Sequence, residues 1–314
     1  MKEVVVAVCT PDLSRKVAAN CIERLKATDL SLAELLVCDN CADSDFSHPQ
    51  TMKNLLAYAG SRPIVFIDDD VYVDEPDWLS IMLEGARRYN AAIVGCVHTF
   101  ESGEVNHVGA MIYRDGTTRM LRELPPDCST PYVPALSSAL MLIMEPLRYG
   151  FDTGFEKYHH DTDICLQAWR QGSSVVCLPD VVIIHIQGNY ASEVIDVREA
   201  FAKDATYLMR KWNDFAASGL FEREALKPFA TMASETNWEH RYAKATLQIN
   251  RSTGNAIEAL TSLAAECPIN WLAGSAHYHL FRLKGGTQHL EKCLELYPEH
   301  NQAKVLLNKL KGEL

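Results

Sequence analysis

The sequence predicts an α/β fold, with a mostly parallel, doubly wound sheet in the first part of the chain and an all-α region after it. Up to about residue 190, short apolar runs alternate with amphipathic segments, which is the pattern of β-α-β units. After about Gly188 the strand-like runs stop, and segments of helical periodicity follow one another. We therefore expect a sheet domain at 1–215, a linker at 216–235 and a helical domain at 236–314.

The strands of the sheet are predicted from short runs of apolar and β-branched residues, which suit a buried strand. They are expected at Val4–Cys9, Leu35–Cys38, Ile64–Ile67, Ile93–Val97, Ala139–Met144, Val175–Cys177 and Val181–Ile184. Helices are predicted where apolar residues recur at helical spacing, with Asp77 as the cap of the third. They are expected at Ser14–Ala27, Met52–Tyr58, Trp78–Tyr89, Asp161–Arg170 and Val194–Trp212. Between Thr99 and Pro134, frequent glycine and proline indicate short strands and loops.

The helical region contains a weak internal repeat. The segment Ala256–Leu260, which ends at Cys267-Pro268, is echoed by His289–Leu294, which ends at Tyr297-Pro298. Helix pairs closed by a proline at a period of about 34 residues are typical of tetratricopeptide repeats. The interval here is shorter, at about 30 residues, so the resemblance to that repeat is partial. The echoed segments still favour tetratricopeptide-like units over the alternative of a plain helical bundle.

The composition excludes several classes of protein. With 47% hydrophobic residues the chain can bury a full core, and its net charge of -11 argues against a nucleic-acid partner. We find no apolar stretch of the ~20 residues that span a bilayer, and the N-terminus leads into a strand rather than a signal sequence. Ten scattered cysteines indicate a reducing compartment. We therefore expect a cytoplasmic protein that could lie peripherally at the inner face of the membrane.

Three consecutive aspartates, Asp68-Asp69-Asp70, follow the strand predicted at Ile64–Ile67. At the carboxyl end of a strand, open α/β sheets bind their ligands. The clustered carboxylates repel one another unless a cation joins them, and a hard divalent metal prefers such oxygen ligands. A metal of this kind could also hold a diphosphate. The triplet by itself is equally compatible with a solvated turn or a cap for the next segment.

Further short segments follow one another along the first part of the chain. They are Val8–Pro11, Val37–Asp43, Asp68–Asp70, Val133–Met141, Phe151–Phe155, His160–Leu166 and Pro179–His185. In this order they resemble the motifs of the family 2 glycosyltransferases of the GT-A fold, whose DXD motif matches the aspartate triplet. The resemblance covers roughly the first 190 residues. It implies a GT-A fold for the first domain and sugar transfer from a nucleotide-diphosphate sugar.

The resemblance implies a metal site. Asp70 matches the residue that binds the metal, Asp68 would contact the ribose or the metal, and Asp69 is the least defined of the donor contacts. His185, at the end of its strand, matches a metal-ligand histidine, although taken alone it reads as a strand-end residue bonded to backbone. Nitrogen beside carboxylate favours Mn²⁺ over Mg²⁺ as the divalent cation.

The resemblance also implies a base and an acceptor side. Asp161 matches the family's catalytic base, and as the first-turn residue of a helix it could equally cap backbone amides. Asp163 is expected to be structural. Ser138 lies in the acceptor-side segment Val133–Met141. His160, which stands where the family commonly has glutamate, is expected on the acceptor side as well.

On the nucleotide side, Asp39 would accept hydrogen bonds from the base or ribose of the donor. Thr10 and Pro11 would line the same pocket, in the turn that meets the nucleotide. The alternative for Asp39 is an Asx turn formed with Asn40, since aspartate commonly bonds its own backbone two residues on.

The function expected from these motifs is inverting, metal-dependent transfer of a sugar from a nucleotide-diphosphate sugar, with UDP as the expected nucleotide, to a glycan or protein acceptor. A sugar nucleotidyltransferase is a weaker alternative, because Thr10–Lys16 lacks the glycines of a phosphate loop. An inactive scaffold that acts through its helical tail is another, suggested by His160. The tail could bind a protein partner or form a homodimer, and a cell-surface glycan pathway of bacteria is a plausible setting.

Overall fold

The computed structural model describes residues 2–41, 46–126, 128–186, 197–233, 237–249 and 253–312. The chain divides into two compact units, Met1–Thr231 and Met232–Leu314. The predicted linker at 216–235 includes the end of a helix and a 3-10 turn at Glu224–Phe229, in which Leu226 and Phe229 are buried. The domain boundaries drawn from the sequence stay a prediction.

The first unit is built on a mixed, mostly parallel sheet. Its strands are β1 Val4–Thr10, β2 Ala33–Asp39, β3 Ile64–Asp68, β4 Val71–Val73, β5 Ala91–Thr99, β6 Val105–His107, β7 Gly109–Ile112, β8 Thr118–Leu121, β9 Leu140–Ile143 and β10 Ser174–His185. The order across the main sheet is β2-β1-β3-β9-β5-β10-β4, with β6 beside β5, and β7 pairs with β8 in a separate ribbon. Strand β9 runs antiparallel to β3 and β5, and β4 runs antiparallel to β10. The central strands are buried along most of their length, as their β-branched composition predicts.

Helices cover this sheet because each has an apolar stripe to bury. They are α1 Lys16–Lys26, α2 His48–Ala59, α3 Trp78–Arg88, α4 His160–Arg170 and α5 Val197–Ser218, with 3-10 turns at Pro146–Arg148 and Glu224–Phe229. In α1 the buried residues recur at helical spacing: they are Ala18, Cys21, Ile22 and Leu25. None of the ten cysteines, which all lie among the described residues, forms a disulfide.

The parallel pairing brings distant residues to one edge of the sheet. Strand β1 lies between β2 and β3, so that Thr10 is in register with Asp39, and Cys9 with Asp68. The carboxyl ends of these three strands therefore meet, and the first aspartate of the triplet lies beside the end of β1. This edge is where ligands of open α/β sheets bind.

The predicted elements are largely confirmed, with β4 as an unpredicted strand and the following further differences. The two strands predicted at Val175–Cys177 and Val181–Ile184 form one strand, β10, whose register shifts between Leu178 and Val182 because the intervening proline cannot join the ladder. Helix α2 begins earlier than predicted, since Ser47 accepts a hydrogen bond from the Gln50 amide and caps it. Asp77 makes no side-chain cap bond, which contradicts its predicted role. Residues 194–196 of the last predicted helix lie outside the described residues.

The second unit consists of helices in its described part: α6 Trp238–Gln248, α7 Thr253–Glu266, α8 Asn270–Lys284, α9 Thr287–Leu296 and α10 Asn301–Lys311. Each packs against the next along the chain. Helices α7 and α9 both end shortly before the prolines Pro268 and Pro298, where the repeat places its breaks. Whether these units are tetratricopeptide-like stays a prediction. Among the described residues of the whole chain, no helix has the length and apolar character needed to cross a membrane.

Candidate active site

Two residues of the aspartate triplet lie close to a histidine that is more than 100 residues away in the sequence. Asp68 ends β3, Asp70 immediately precedes β4, and His185 ends β10. The antiparallel pairing of β4 with β10 sets His185 opposite Val71, and the Ile186 amide donates to the Asp70 carbonyl at 2.9 Å. Ligand atoms of the two carboxylates and the imidazole lie within 4.8 Å of one another, with His185 Nε2 3.3 Å from Asp70 Oδ1. We refer to Asp68, Asp70 and His185 as the acidic cluster.

The electrostatics of the acidic cluster fit a bound cation. Burial, followed by the negative charge of Asp70, raises the pKa of Asp68. Burial alone would lower the pKa of His185, but its hydrogen bond with Asp70 and the charges of both aspartates outweigh that effect and raise it. The cluster thus concentrates negative charge that a divalent ion would neutralise. Two carboxylate oxygens and one imidazole nitrogen form a donor set that can hold a divalent cation.

The middle aspartate of the triplet lies apart from the acidic cluster. Asp69 Oδ2 accepts hydrogen bonds from the Thr10 hydroxyl at 2.8 Å and from the Arg15 guanidinium at 3.0 Å. Burial raises the pKa of Asp69 to about 6, against the opposing influence of Thr10 and Arg15. Thr10 itself has no exposed surface. Asp69 therefore fastens β1 and the start of α1 to the triplet, and a contact of Thr10 or Asp69 with the donor stays a prediction.

Asp39 organises the turns at the predicted nucleotide edge. Its Oδ1 accepts from the Leu13 amide at 3.2 Å and from the Cys41 amide at 3.1 Å, the second of which is the Asx bond that its alternative interpretation requires. The Asn40 side chain donates to the Thr10 carbonyl at 2.9 Å. Asp39 remains exposed, and Pro11 lies in the adjoining turn. Residues 42 and 43 of the same motif lie outside the described residues, and the nucleotide contacts of Asp39 and Pro11 stay predictions.

Asp161 faces the segment that precedes β9. Its Oδ2 accepts from the Ser138 amide at 3.3 Å, and its Oδ1 accepts from the Thr162 amide at 2.7 Å. The neighbouring Ser137 amide donates to His107 Nε2 at 3.3 Å, which holds this segment against β6. The carboxylate is thereby oriented by backbone groups while it lies in the first turn of α4. The bond to the Thr162 amide lies in the first helical turn, and the catalytic role of Asp161 stays a prediction.

Asp163, two residues further, has the structural role that the sequence predicts. Its side chain has no exposed surface. It accepts from Trp212 Nε1 at 2.7 Å and from Gln167 Nε2 at 2.8 Å, and it lies 2.7 Å from the Lys211 ammonium. These bonds join α4 to α5, so that α5 supports the helix that carries Asp161.

One cavity has both Asp68 of the acidic cluster and Asp161 in its wall. It has a volume of about 310 Å³. Ser138 and His160, predicted on the acceptor side, also line it. Its lining does not include Thr10, Pro11, Asp39, Asp69, Asp70 or His185. Of the predicted site residues, the fold therefore brings together Asp68, Asp161, Ser138 and His160 around one space.

The cavity also contains histidines that sequence reasoning left aside. His48, from the start of α2, lies with Nε2 3.7 Å from Asp68 Oδ1, and its ring packs edge-on against His160 at 5.1 Å between centroids. Burial lowers the pKa of His48, His159 and His160 to about 4, so these rings are neutral at pH 7. His159 also lines the cavity, and its backbone has a positive φ of 64°. No local pattern marks His48, because its neighbours in space come from other parts of the chain.

A buried aspartate of α5 secures the loop that leads to Asp161. Asp204 has no exposed surface, and its carboxylate accepts from the backbone amides of Glu156 at 2.9 Å, Lys157 at 2.8 Å and Tyr158 at 2.8 Å. Three converging amides form an anion-binding concavity of the kind that usually holds a charged group. Sequence reasoning missed this residue, because it lies within an otherwise unremarkable helical pattern.

Replacing Asp204 with asparagine is expected to lower the free energy of unfolding by about 2–3 kcal/mol, since an amide cannot accept from three N–H donors and would turn its own NH₂ toward one of them. Urea unfolding of the two proteins measures the difference. The matched control is Asp214→Asn, on an exposed face of the same helix, which should change stability by less than about 0.5 kcal/mol. Equal stability of the wild type and the Asp204 variant would refute the role of this carboxylate.

Comparison with known proteins gives distant relatives. No protein-family model matches the chain. The chain is 27% identical over 158 residues to the O-antigen biosynthesis protein RfbC of Myxococcus xanthus, a match that covers 46% of this chain and 12% of RfbC. It is 26% identical over 207 residues to the uncharacterised protein y4gI of Sinorhizobium fredii, covering 59% of this chain and 22% of y4gI. The chain thus spans less than a quarter of the length of these curated relatives.

Two solved structures share the fold. The mannosyltransferase PcManGT from Pyrobaculum calidifontis, in complex with GDP-Man and Mn²⁺, has a TM-score of 0.51 at 16% identity, covering 95% of this chain and 88% of its own. GalNAc-T7, in a structure with UDP, GalNAc and Mn²⁺, has a TM-score of 0.51 at 10% identity, covering 85% of this chain and 58% of its own. At these identities the likeness shows the fold, a mixed α/β architecture consistent with the predicted GT-A fold.

Proposed function

We propose that this protein is a metal-dependent glycosyltransferase that moves a sugar from a nucleotide-diphosphate sugar to an acceptor hydroxyl, with inversion. The observation that carries the proposal is the single cavity whose wall includes Asp68 of the acidic cluster and the oriented carboxylate Asp161. A donor whose diphosphate is held by the acidic cluster would present its sugar toward Asp161. The shared fold of a mannosyltransferase and the RfbC relative support sugar transfer.

Asp68, Asp70 and His185 are the residues that would hold the divalent cation. Bound there, such an ion supplies Lewis-acid stabilisation to the departing diphosphate. Mn²⁺ is proposed over Mg²⁺ because of the imidazole donor, and both solved structures of this fold contain Mn²⁺. Asp69 keeps the cluster in place through Thr10 and Arg15.

Asp161 is the proposed base. In the transfer step its carboxylate takes the proton of the acceptor hydroxyl, the acceptor oxygen bonds to the anomeric carbon, and the bond from that carbon to the diphosphate breaks with its electrons. Ser138 contributes its backbone amide, which orients the carboxylate. Neutral His160, which lines the same cavity, would accept from and donate to acceptor hydroxyls.

The nucleotide would lie over the sheet edge formed by Thr10, Pro11 and Asp39. We propose a UDP-sugar as donor; the same fold holds GDP-Man in PcManGT, so GDP-sugars belong in the test. The proposed acceptor is a glycan of a bacterial cell-surface pathway, in line with the O-antigen biosynthesis relative. Helices α6–α10 are proposed to bind a partner protein or a second copy of the chain.

The test is a screen of UDP- and GDP-sugars by thermal shift and by release of nucleotide diphosphate, each with Mn²⁺ and with EDTA. The expected result is a rise in melting temperature and slow donor hydrolysis for at least one sugar, both lost in EDTA. If no nucleotide sugar or nucleotide diphosphate binds with Mn²⁺, the proposal fails. Formation of a nucleotide sugar and pyrophosphate from a nucleoside triphosphate and a sugar 1-phosphate would instead identify a nucleotidyltransferase.

A further inference from the structure

Lys157 lines the same cavity and has no part in the function described so far. Its side chain is partly buried in the wall that also includes Asp68 and Asp161. Its ammonium group forms no hydrogen bond or ion pair with any residue that the structure describes. Nearby cations differ: Arg15 is bonded to Asp69 at 3.0 Å, and Lys203 to Glu156 at 2.8 Å. A cation in the wall of a cavity, with no partner among the described residues, is available to bind an anionic ligand.

The backbone at Lys157 is held in place rather than loose. Its amide donates to Asp204 Oδ2 at 2.8 Å, as does the Tyr158 amide, and the Asp204 carboxylate is fully buried. The position of the backbone from which the Lys157 side chain extends is therefore fixed by α5. The charge of Lys157 also acts on His48 and Asp68, which line the same cavity. Burial is the main cause of the lowered pKa of His48, and the charge of Lys157 lowers it further. Burial is also the main cause of the raised pKa of Asp68, and there the charge of Lys157 has the opposite effect.

The charges of the acidic cluster leave a requirement that Lys157 can meet. Two carboxylates, Asp68 and Asp70, would neutralise a divalent cation bound between them. A diphosphate gains negative charge when its bond to the sugar breaks, because the electron pair of that bond moves to its oxygen. Stabilising this charge calls for a further cation placed where the charge develops, in a site with little water.

We propose that the ammonium group of Lys157 binds the donor diphosphate and stabilises it as it leaves, acting as the second cation of the site. Lys157 donates a hydrogen bond to a phosphate oxygen and keeps its proton throughout. The inference rests on the proposed function, since it needs a nucleotide-diphosphate donor. It adds a catalytic residue that belongs to none of the motifs by which the chain resembles glycosyltransferases.

The experiment measures binding of UDP, UMP, GDP and GMP, each with Mn²⁺, by calorimetry for the wild type, Lys157→Met and Lys157→Arg. The control is Lys203→Met, an exposed lysine in a surface ion pair. We expect Lys157→Met to lower the affinity for the nucleoside diphosphate that the wild type prefers by about 10- to 100-fold, the range of a charge-assisted hydrogen bond. The affinity for the matching monophosphate should fall by less than about threefold. Lys157→Arg should recover part of the loss, and the control should bind like the wild type.

The outcomes separate this inference from the function on which it rests. If Lys157→Met leaves the diphosphate affinity unchanged and raises the KM for the acceptor, the ammonium group contacts the acceptor instead. That result would overturn this inference but leave the proposed sugar transfer intact. An equal loss for mono- and diphosphate would overturn it too, because the lysine would then act on the nucleotide as a whole. A wild type that binds no nucleoside diphosphate overturns the proposed function, and the inference with it. Thermal melts of each variant show whether it is folded.

Discussion

Asp70→Asn is expected to lower the rates of sugar transfer and of donor hydrolysis by at least about 10³-fold, with a matching loss of Mn²⁺ affinity. Asparagine keeps the size of the side chain but removes one of the two negative charges that hold the divalent cation, and a metal-stabilised leaving group accounts for several kcal/mol of the barrier. His185 also loses its charged neighbour at 3.3 Å. Mn²⁺ binding, followed by calorimetry or by its electron paramagnetic resonance signal, measures the first effect, and nucleotide release measures the second.

The matched control is Asp74→Asn, a few residues along the chain. Asp74 is exposed and pairs with Arg24 at 2.8 Å on the surface, so its replacement should leave both metal affinity and turnover within about twofold of the wild type. Full activity of the Asp70 variant, or undiminished wild-type activity in EDTA, would rule out a metal held by the acidic cluster.

Asp161→Asn should leave donor binding nearly intact and reduce transfer by about 10²–10⁴-fold, the usual contribution of a positioned base. The amide oxygen of asparagine can still accept from the Ser138 or Thr162 amide, so the loop is expected to keep its course. It cannot take the proton of the acceptor. Calorimetry with UDP or GDP and Mn²⁺ measures binding, and single-turnover kinetics measures the transfer step.

Asp180→Asn, on the exposed bend of β10, serves as the control and should behave like the wild type. Wild-type turnover by the Asp161 variant would exclude this carboxylate as the base. The two large predictions also have opposite signatures: loss of Asp70 weakens metal binding, whereas loss of Asp161 leaves metal binding unchanged and lowers kcat. A protein in which both variants lose only stability would have a structural use for the two aspartates.

Much of the fold could be predicted because its strands are local apolar runs. The segment before the triplet forms β3 as predicted, and the helix that carries Asp161 differs from its prediction by one residue at its start. The sequence predicts two strands where the structure has the single bent strand β10. The prediction was wrong because the effect of Pro179 on the hydrogen bonding of a strand depends on the neighbouring strand. Parallel pairing then explains why Asp39 and Asp68, although distant in sequence, flank the end of β1.

The residues that complete the site were harder to predict. His48, at the start of α2, and Lys157, in the loop before α4, meet Asp68 and Asp161 around one cavity, and Asp204 acts from α5, which follows the base in the chain. Such contacts depend on how layers pack, and a single sequence carries no local periodicity that records them.

The sequence by itself therefore determined most of the order of strands and helices and the presence of three carboxylates at a strand end, since each follows from local pattern and residue chemistry. The candidate base Asp161 came from the resemblance to the glycosyltransferase motifs. Only the tertiary structure decided how the triplet divides. Asp68 and Asp70 join His185 because β4 pairs with β10, and Asp69 turns to Thr10 and Arg15 because it lies against β1 and α1. The physical reason is that side chains of consecutive residues diverge from the backbone, so their partners are set by strands and helices remote in sequence.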